Sequence, residues 1–229
     1  MGVVNEITII TPSCSTERLD LLIGTIRSAL ANTYKRTHLV VVADGNEEIY
    51  KAIKKEFDML QVTVILNPKR MDWIYSMNHI LASIKSDYYI YAADDLIFPP
   101  DCIKHAMATM QKRFPDGFGV VDLGRKERGT FGLFGRKLVD HFPSSKVFCP
   151  EYVHYSGDSE LCQAVKKMKK YVYLPVREKQ VHHFRMNDET RILARRTRTR
   201  DHLIRKEREE KGYLWGIDFN RVIGGKNVS

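Results

Sequence analysis

Short β-branched runs alternate with longer amphipathic segments through the first hundred residues of the chain. The short runs predict buried strands, and the segments with apolar residues at helical spacing predict helices that pack on a sheet. The predicted strands are 7–12, 38–43, 61–66 and 87–93, and the helices between them are 17–31, 47–57 and 71–84. This strict alternation predicts an α/β fold with a Rossmann-like, doubly wound and mostly parallel sheet.

The pattern is less regular after Pro100. The predicted helices there are 101–113, 136–141 and 158–169, and the predicted strands are 117–122 and 171–174. Glycines punctuate the stretch from Gly124 to Gly135, which we predict to be a binding loop. Beyond His183 the chain is mostly polar and is predicted to be helical. No internal repeat or clear linker divides the chain, so we predict one domain with a C-terminal helical extension.

Two adjacent carboxylates, Asp94 and Asp95, end the fourth predicted strand, and a proline pair follows them. In open α/β sheets, side chains at the carboxyl ends of strands face the crevice where ligands bind. Carboxylate oxygens are suitable ligands for Mg²⁺ or Mn²⁺ ions that carry phosphate groups. The alternative interpretation is an Asx turn that only caps the following helix.

Composition adds constraints on the core and on partners. A length of 229 residues with 43% hydrophobic content is that of an ordinary globular protein. The four cysteines are widely spaced and are expected to be reduced thiols in or near the core. No leader pattern and no apolar run of about 18 residues is present, so we expect a soluble, cytoplasmic protein. The net charge of +9 predicts attraction to nucleotide diphosphates, nucleic acid or an anionic membrane surface.

Six landmarks follow one another in an order that resembles a known family. They are Ile9-Ile10-Thr11-Pro12-Ser13, Val40-Val41-Val42-Ala43-Asp44-Gly45, Asn78, Asp94-Asp95-Leu96-Ile97-Phe98-Pro99-Pro100, Gly157-Asp158-Ser159-Glu160-Leu161 and Val181-His182-His183. Together they resemble the inverting family 2 glycosyltransferases of the GT-A fold. The resemblance implies a nucleotide-sugar-binding and catalytic domain over residues 1–184, with a basic helical extension over 185–229 packed on it.

The resemblance implies a nucleotide-diphosphate sugar as donor, with UDP or dTDP as the nucleotide and a UDP-sugar expected first, and Mn²⁺ or Mg²⁺ as the metal. It makes Asp95 the metal ligand, with His182 or His183 as a second ligand. Adjacent residues on a strand point to opposite sides, so we expect only one histidine to reach the ion. The donor-binding positions it implies are Thr11, Pro12, Asp44, Asn78 and Asp94. For His182 and His183, the alternative is a histidine pair on the surface. For Asp44, the alternative is a simple turn aspartate before Gly45.

Asp158 is the general base that the resemblance implies, and it would deprotonate the acceptor hydroxyl. A helix N-terminus lowers the pKa of a carboxylate, so a base there needs burial or a neighbouring acid, for which Glu160 is the candidate. The alternative is that Asp158 only caps the helix. The chain departs from the family pattern at Met77, at Ala93 in place of an aspartate, and at Gly157 in place of a glutamate.

Residues 190–200 contain five arginines and no acidic residue. Arginine is well suited to phosphate, so this stretch is a candidate for docking nucleic acid, a membrane surface or the donor diphosphate. Lys69 and Arg70 are further phosphate candidates, unless they form a solvated loop. We hypothesise a polyanionic acceptor such as DNA, and a neutral saccharide is the alternative. The aromatic segment Tyr213-Leu214-Trp215-Gly216 is expected to pack back onto the domain.

Two other functions are compatible with these patterns. A non-catalytic nucleic-acid-binding or interaction protein on an α/β scaffold would account for the basic tail. A nucleotidyltransferase would use a similar scaffold but would release pyrophosphate instead of a nucleoside diphosphate. Metal-dependent nucleotide binding separates the first of these from a glycosyltransferase.

Overall fold

The structure is a computed structural model. It describes residues 5–32, 34, 36–124, 131–174, 180–183, 188–211, 213–215 and 217–218. The elements of the first half are β1 (Ile7–Ser13), α1 (Leu19–Leu30), β2 (Thr37–Asp44), α2 (Glu47–Glu56), β3 (Val62–Asn67), α3 (Asp72–Ser83) and β4 (Tyr88–Tyr91). A single 3₁₀ turn, Thr16–Arg18, leads into α1. Each of these strands and helices was predicted from the sequence to within a few residues.

The second half begins with β5 (Leu96–Ile97), α4 (Cys102–Arg113), β6 (Val120–Asp122), β7 (Gly132–Gly135) and α5 (Arg136–His141). It continues with a 3₁₀ turn at Pro143–Ser145, α6 (Gly157–Lys167), β8 (Tyr171–Tyr173), β9 (His182–His183), α7 (Glu189–Glu210), β10 (Tyr213–Leu214) and β11 (Ile217–Asp218). Pro175, predicted to stop a strand, lies outside the described residues.

Seven strands form the central sheet in the order β3-β2-β1-β4-β7-β6-β8. Four of the strand pairs are parallel, and only β7 runs antiparallel to its two neighbours, β4 and β6. The mostly parallel α/β fold is therefore as predicted. The binding-loop prediction for 124–135 was wrong at its end, because residues 132–135 form a buried strand in the middle of the sheet. Residues 125–130 lie outside the described part.

The two faces of the sheet are covered by different helices. Alternate side chains of β1 point to opposite faces, so that Ile9 packs with α1, α2 and α4, whereas Ile10 packs with α3, α5 and α6. Three of the cysteines are buried and Cys14 is partly buried, and all four are free thiols, as expected. Across the described residues, no helix combines the length and the apolar character needed to cross a membrane.

Helix α7 packs back on the sheet domain through two buried carboxylates. Asp201, which has no solvent-exposed surface, accepts backbone hydrogen bonds from residues 153, 154 and 155 at 3.2, 3.0 and 2.8 Å. Glu160, at the start of α6, pairs with Arg208 near the end of α7 at 3.1 Å. Its carboxylate also accepts from the backbone of Trp215. The helical extension is therefore fastened to the loop that leads into α6.

Candidate functional site

A cavity of about 450 Å³ opens at the carboxyl ends of β1, β2 and β4. This is the edge of a parallel sheet at which α/β proteins bind ligands, and the volume is within the usual range for small-molecule sites. The residues that were singled out from the sequence and lie on the cavity wall include Pro12, Asp44, Arg70, Asp94, Asp95, Asp158 and His183. Helix α7 closes one side of it with Thr190, Arg191, Ala194, Arg195, Arg198 and His202.

Arg18 is the buried cation of the site, and sequence reasoning missed it. Its guanidinium donates to Asp94 at 2.8 Å and to Asp95 at 3.4 Å. On its other side it pairs with Asp188, directly before α7. Burial opposes the charge, but hydrogen bonding to Asp188 and the charge of Asp94 raise the pKa of Arg18 above its ordinary value. Arg18 therefore stays charged and links both strand-end aspartates to the start of α7.

Asp94 is held by two donors, Arg18 and the hydroxyl of Ser13 at 2.6 Å. Burial raises the pKa of this carboxyl, and the charge of Arg18 works against that rise. Both carboxylate oxygens are therefore engaged within the protein. Asp94 lines the cavity, but its carboxylate is hydrogen-bonded to Ser13 and Arg18.

Asp95 and His183 have the donors and spacing that a divalent ion requires. The short ladder between β5 and β9 pairs Leu96 with His183 and so brings this histidine beside the aspartates. Nε2 of His183 lies 3.1 Å from Oδ1 of Asp95. Oδ1 is buried and has no hydrogen-bond donor among the described residues. Ligands at about 2.1 Å in adjacent octahedral positions lie about 3 Å apart, so this pair fits one edge of such a site.

Within the described residues there is no group of three or more His, Cys, Asp and Glu side chains that would hold an ion alone. Mg²⁺ is often bound by only one or two carboxylates, with substrate phosphates completing its shell. The aspartate–histidine pair fits that mode of binding. His182, the other candidate ligand, is half-buried and is not part of the cavity wall.

Two predicted donor-binding residues lie away from the cavity wall. Thr11 is fully buried within β1. Asn78 is buried on α3, where its carboxamide donates to the backbone oxygen of Phe148 at 2.6 Å and accepts from the backbone nitrogen at 3.0 Å. The oxygen and the nitrogen of that carboxamide both bind the backbone of Phe148. Asn78 therefore holds the loop around Phe148 in position and does not itself line the cavity.

Asp44 lies at the end of β2 and organises the turn that carries Arg70. Its carboxylate accepts from Asn67 at 2.7 Å and from the backbone nitrogens of Met71 and Asp72 at 2.8 Å each. Gly45 follows with φ of 72°, and a Cβ there would lie 2.3 Å from the nitrogen of Arg70. The turn therefore requires glycine, and it places Arg70 and Asp72 on the cavity wall as an ion pair at 2.8 Å.

Asp158 is the second residue of α6, and Ser156 occupies the N-cap position. Asp158 is therefore not the N-cap residue itself, although its carboxylate accepts from a backbone nitrogen in the first turn of α6. Burial raises the pKa of Asp158, while the backbone nitrogen of Ser159, at 2.7 Å, donates to the carboxylate and works in the opposite direction. A raised pKa is what a general base near neutral pH requires.

The expectation that Glu160 tunes Asp158 was wrong. The carboxylate of Glu160 is bound by Tyr152, Arg208 and Trp215. Burial, and not an acidic neighbour, is the largest cause of the raised pKa of Asp158.

The structure also explains the glycine that precedes Asp158. A Cβ on Gly157 would lie 2.4 Å from Cδ1 of Ile74 and 3.5 Å from Cβ of Phe148. Gly157 itself is buried. A larger residue at this position would therefore require the Ile74 side chain to move, and glycine lets Ile74 pack directly against the start of α6.

The family follows from a direct sequence match. A sequence model described as Glycosyl transferase family 2 matches residues 8–132, which is more than half of the chain. The chain belongs to this family. Strands β1 to β4, with the carboxyl ends that build the cavity, lie within the matched region, whereas Asp158, β9 and α7 lie beyond it.

Among curated proteins, the chain is similar to the glucosyl-dolichyl phosphate glucuronosyltransferase of Haloferax volcanii, with 28% identity over 116 residues. The match covers 50% of this chain and 37% of that protein, so the chain spans well under half of its relative's length.

Two solved structures share the architecture. The Pyrobaculum calidifontis mannosyltransferase PcManGT, in complex with GDP-Man and Mn²⁺, matches with a TM-score of 0.65 and 14% identity over 96% of this chain and 68% of that one. S. aureus TarS, in complex with UDP-GlcNAc, matches with a TM-score of 0.65 and 11% identity over 81% of this chain and 60% of that one. At these identities the likeness shows the fold, which is the GT-A fold of such glycosyltransferases.

Proposed function

We propose that the protein transfers a sugar from a nucleotide-diphosphate sugar to an acceptor hydroxyl with inversion at the anomeric carbon. The observation that carries this proposal is the convergence of Asp95, His183 and Asp158 on one cavity at the carboxyl edge of the sheet. Family membership and the nucleotide sugars bound by the two structural neighbours support it. A UDP-sugar is our proposed donor, in line with the TarS complex, and GDP is the competing base.

Asp95 and His183 would hold Mn²⁺ or Mg²⁺. A bound divalent ion supplies Lewis-acid stabilisation of the charge that develops on the leaving diphosphate. Arg18 holds Asp94 and Asp95 in place and compensates their charge. Asp158 would accept the proton of the attacking hydroxyl, and its half-buried position on the wall keeps it basic while it remains accessible.

The test is the thermal unfolding of the protein with UDP, GDP, CDP or dTDP, each with and without Mn²⁺. A ligand at 100 times its Kd stabilises by about 2.7 kcal/mol, or roughly 5–10 °C for a chain of this size. We expect a metal-dependent rise with one nucleotide, and we expect it to disappear in Asp95→Asn. Asp140→Asn is the matched control, because Asp140 is an exposed carboxylate paired with Arg136 and does not line the cavity.

A protein that responds to no nucleotide but is stabilised by duplex DNA would contradict the proposal and favour the nucleic-acid-binding alternative. A nucleotidyltransferase would bind a nucleoside triphosphate and release pyrophosphate. Identification of the released product therefore separates the two enzymatic alternatives.

A further inference from the structure

One face of α7 presents basic side chains to the cavity. Arg191, Arg195, Arg198 and His202 are spaced by four, three and four residues, and all of them line the wall. Residues at this spacing share one face of a helix. Three of the five arginines in residues 190–200 therefore line the cavity, whereas Arg196 and Arg200 do not.

Arg195 and Arg198 have no ion-pair or hydrogen-bond partner among the residues that the structure describes. The carboxylates of the same cavity are largely engaged elsewhere. Asp94 and Asp95 face Arg18, and Asp72 faces Arg70. Two cations that line a cavity and have no partner among the described residues indicate that the ligand of the cavity is anionic at this wall.

The position of these arginines along α7 indicates which part of the ligand they face. Asp188, before α7, lies beside Arg18 and the metal-site aspartates, whereas Asp201 holds the loop that leads to Asp158. At a rise of about 1.5 Å per residue, Arg198 lies roughly 15 Å from Asp188 but only about 4.5 Å from Asp201 along the helix axis, and Arg195 lies about midway between the two aspartates. Arg205, further along α7, lowers the pKa of Asp158 through its charge, which places this half of α7 near the base.

We infer that the acceptor carries a phosphate group, which Arg195 and Arg198 bind while Asp158 faces the acceptor hydroxyl. This inference rests on the proposed function, because it assigns the acceptor of the same site. Asp158, Arg195 and Arg198 line one cavity of about 450 Å³, so a single small phosphorylated sugar can reach the base and both arginines at once. The acceptor class we assign is therefore a glycosyl phosphate, whether it is free or attached to a lipid.

The test compares the binding of glucose 1-phosphate and of methyl glucoside to the protein saturated with Mn²⁺ and UDP. The wild type is expected to bind glucose 1-phosphate about tenfold more tightly, since a charge-assisted hydrogen bond contributes about that factor. Arg198→Gln and Arg195→Gln should each remove most of this preference. Arg196→Gln is the matched control, because it removes an exposed arginine of the same helix that does not line the cavity.

Three other outcomes contradict the inference, and a fourth contradicts the proposed function on which it rests. If Arg198→Gln weakens UDP instead of glucose 1-phosphate, the arginines bind the donor diphosphate. If Arg196→Gln has the same effect as Arg198→Gln, the preference reflects general charge. If duplex DNA displaces glucose 1-phosphate, the phosphate belongs to nucleic acid. If UDP with Mn²⁺ does not bind the wild type, the proposed function fails, and the sugar comparison without nucleotide still reports on the arginine wall.

To separate free from lipid-linked acceptors, the same variants are tested with vesicles that contain a polyprenyl glycosyl phosphate. Vesicles of neutral phospholipid alone serve as the control. A preference for the first vesicles that Arg198→Gln abolishes would identify a lipid-linked acceptor. An equal response to both vesicles would contradict a lipid-linked acceptor, and the binding of glucose 1-phosphate would then support a free glycosyl phosphate.

Discussion

Arg18 compensates the charge of the two buried carboxylates of Asp94 and Asp95. The side chains of Arg18, Asp94 and Asp95 are 10%, 6% and 4% exposed. Removing one charged partner from such a network costs more stability than replacing the whole network with apolar residues. The reason is that the remaining charges keep their desolvation penalty. Arg18 also contributes the charge that a divalent ion would bring to the same aspartates. Metal binding and the Arg18 network should therefore be coupled.

We predict that Arg18→Gln lowers the free energy of unfolding by about 3 kcal/mol and increases the stabilisation by Mn²⁺. The ion would then supply the missing positive charge beside Asp95. Urea unfolding with and without Mn²⁺ measures both quantities. Asp188→Asn is the control, since it removes the negative charge that faces Arg18 at the start of α7 but leaves Arg18 beside the aspartate pair. An equal Mn²⁺ effect in both variants would show that Arg18 does not compete with the ion.

The raised pKa of Asp158 predicts the pH dependence of the reaction. A base must be unprotonated, so activity should rise with pH through the pKa of Asp158, above the usual aspartate value of about 3.9. The hydroxyl of Ser159 lowers this pKa, so Ser159→Ala should move the acidic limb of kcat/KM to higher pH. Ser13→Ala, which removes a hydrogen bond to Asp94, should leave the limb in place. A shift in Ser13→Ala alone would assign the limb to Asp94.

The same pKa has an effect of opposite sign on stability. A carboxyl whose pKa is raised by folding favours the folded state only while it is protonated, and its cost grows as pH rises through the folded-state pKa. We predict that Asp158→Asn inactivates the enzyme but resists urea better than the wild type at pH 7. The difference should vanish near pH 4. A variant that is both inactive and less stable at pH 7 would show that Asp158 has a structural role.

At the scale of elements, the regular hydrophobic periodicity of the first half made its strands and helices predictable. The second half was harder to predict because several of its strands have only two to four residues. β1 to β4 and α1 to α3 each contain enough alternating positions to display their period. β7 has four residues, of which Gly132 and Gly135 read as turn formers, and β9 has only two. These strands exist because neighbouring strands offer them partners, and that information is not local in the sequence.

The same difference applies to the candidate site. Asp94, Asp95 and Asp158 could be found because each occupies a motif position at the end or start of an element. Arg18 and Asp201 carried no such signal, because each reads as an ordinary charged residue within a polar helical segment. Their importance comes from contacts that span 76 and 48 positions of the chain. Only the tertiary fold reveals that they are buried.

Asp201 links α7 to the loop before α6, and this link can be tested by itself. Its carboxylate accepts three backbone hydrogen bonds, and alanine would leave those donors unsatisfied. We predict that Asp201→Ala lowers the free energy of unfolding by about 3 kcal/mol, as measured by urea unfolding. Arg200→Gln, which removes only a weaker ion pair at 3.5 Å, should change it by less than about 1 kcal/mol. Comparable losses in both variants would assign the effect to the ion pair.

At the scale of the whole molecule, the buried contacts of the extension predict that it unfolds together with the sheet domain. Arg208 and the backbone of Trp215 both bind the buried carboxylate of Glu160, and α7 also forms one wall of the cavity. A separate domain would share few buried contacts with its neighbour. We therefore predict one cooperative transition for residues 1–184 and 185–229.

The chain contains two tryptophans, and each reports on one of these regions. Trp73 packs at the cavity against Phe148, whereas Trp215 follows α7. The fluorescence of Trp73→Phe and of Trp215→Phe should therefore give the same urea midpoint as far-ultraviolet circular dichroism of the same variant. In an added Glu160→Gln background, the midpoint reported by Trp215 should fall first, because Arg208 and Trp215 lose their anionic partner. Different midpoints without that substitution would show that the extension is an independent unit, and the cavity would then have a wall that can detach.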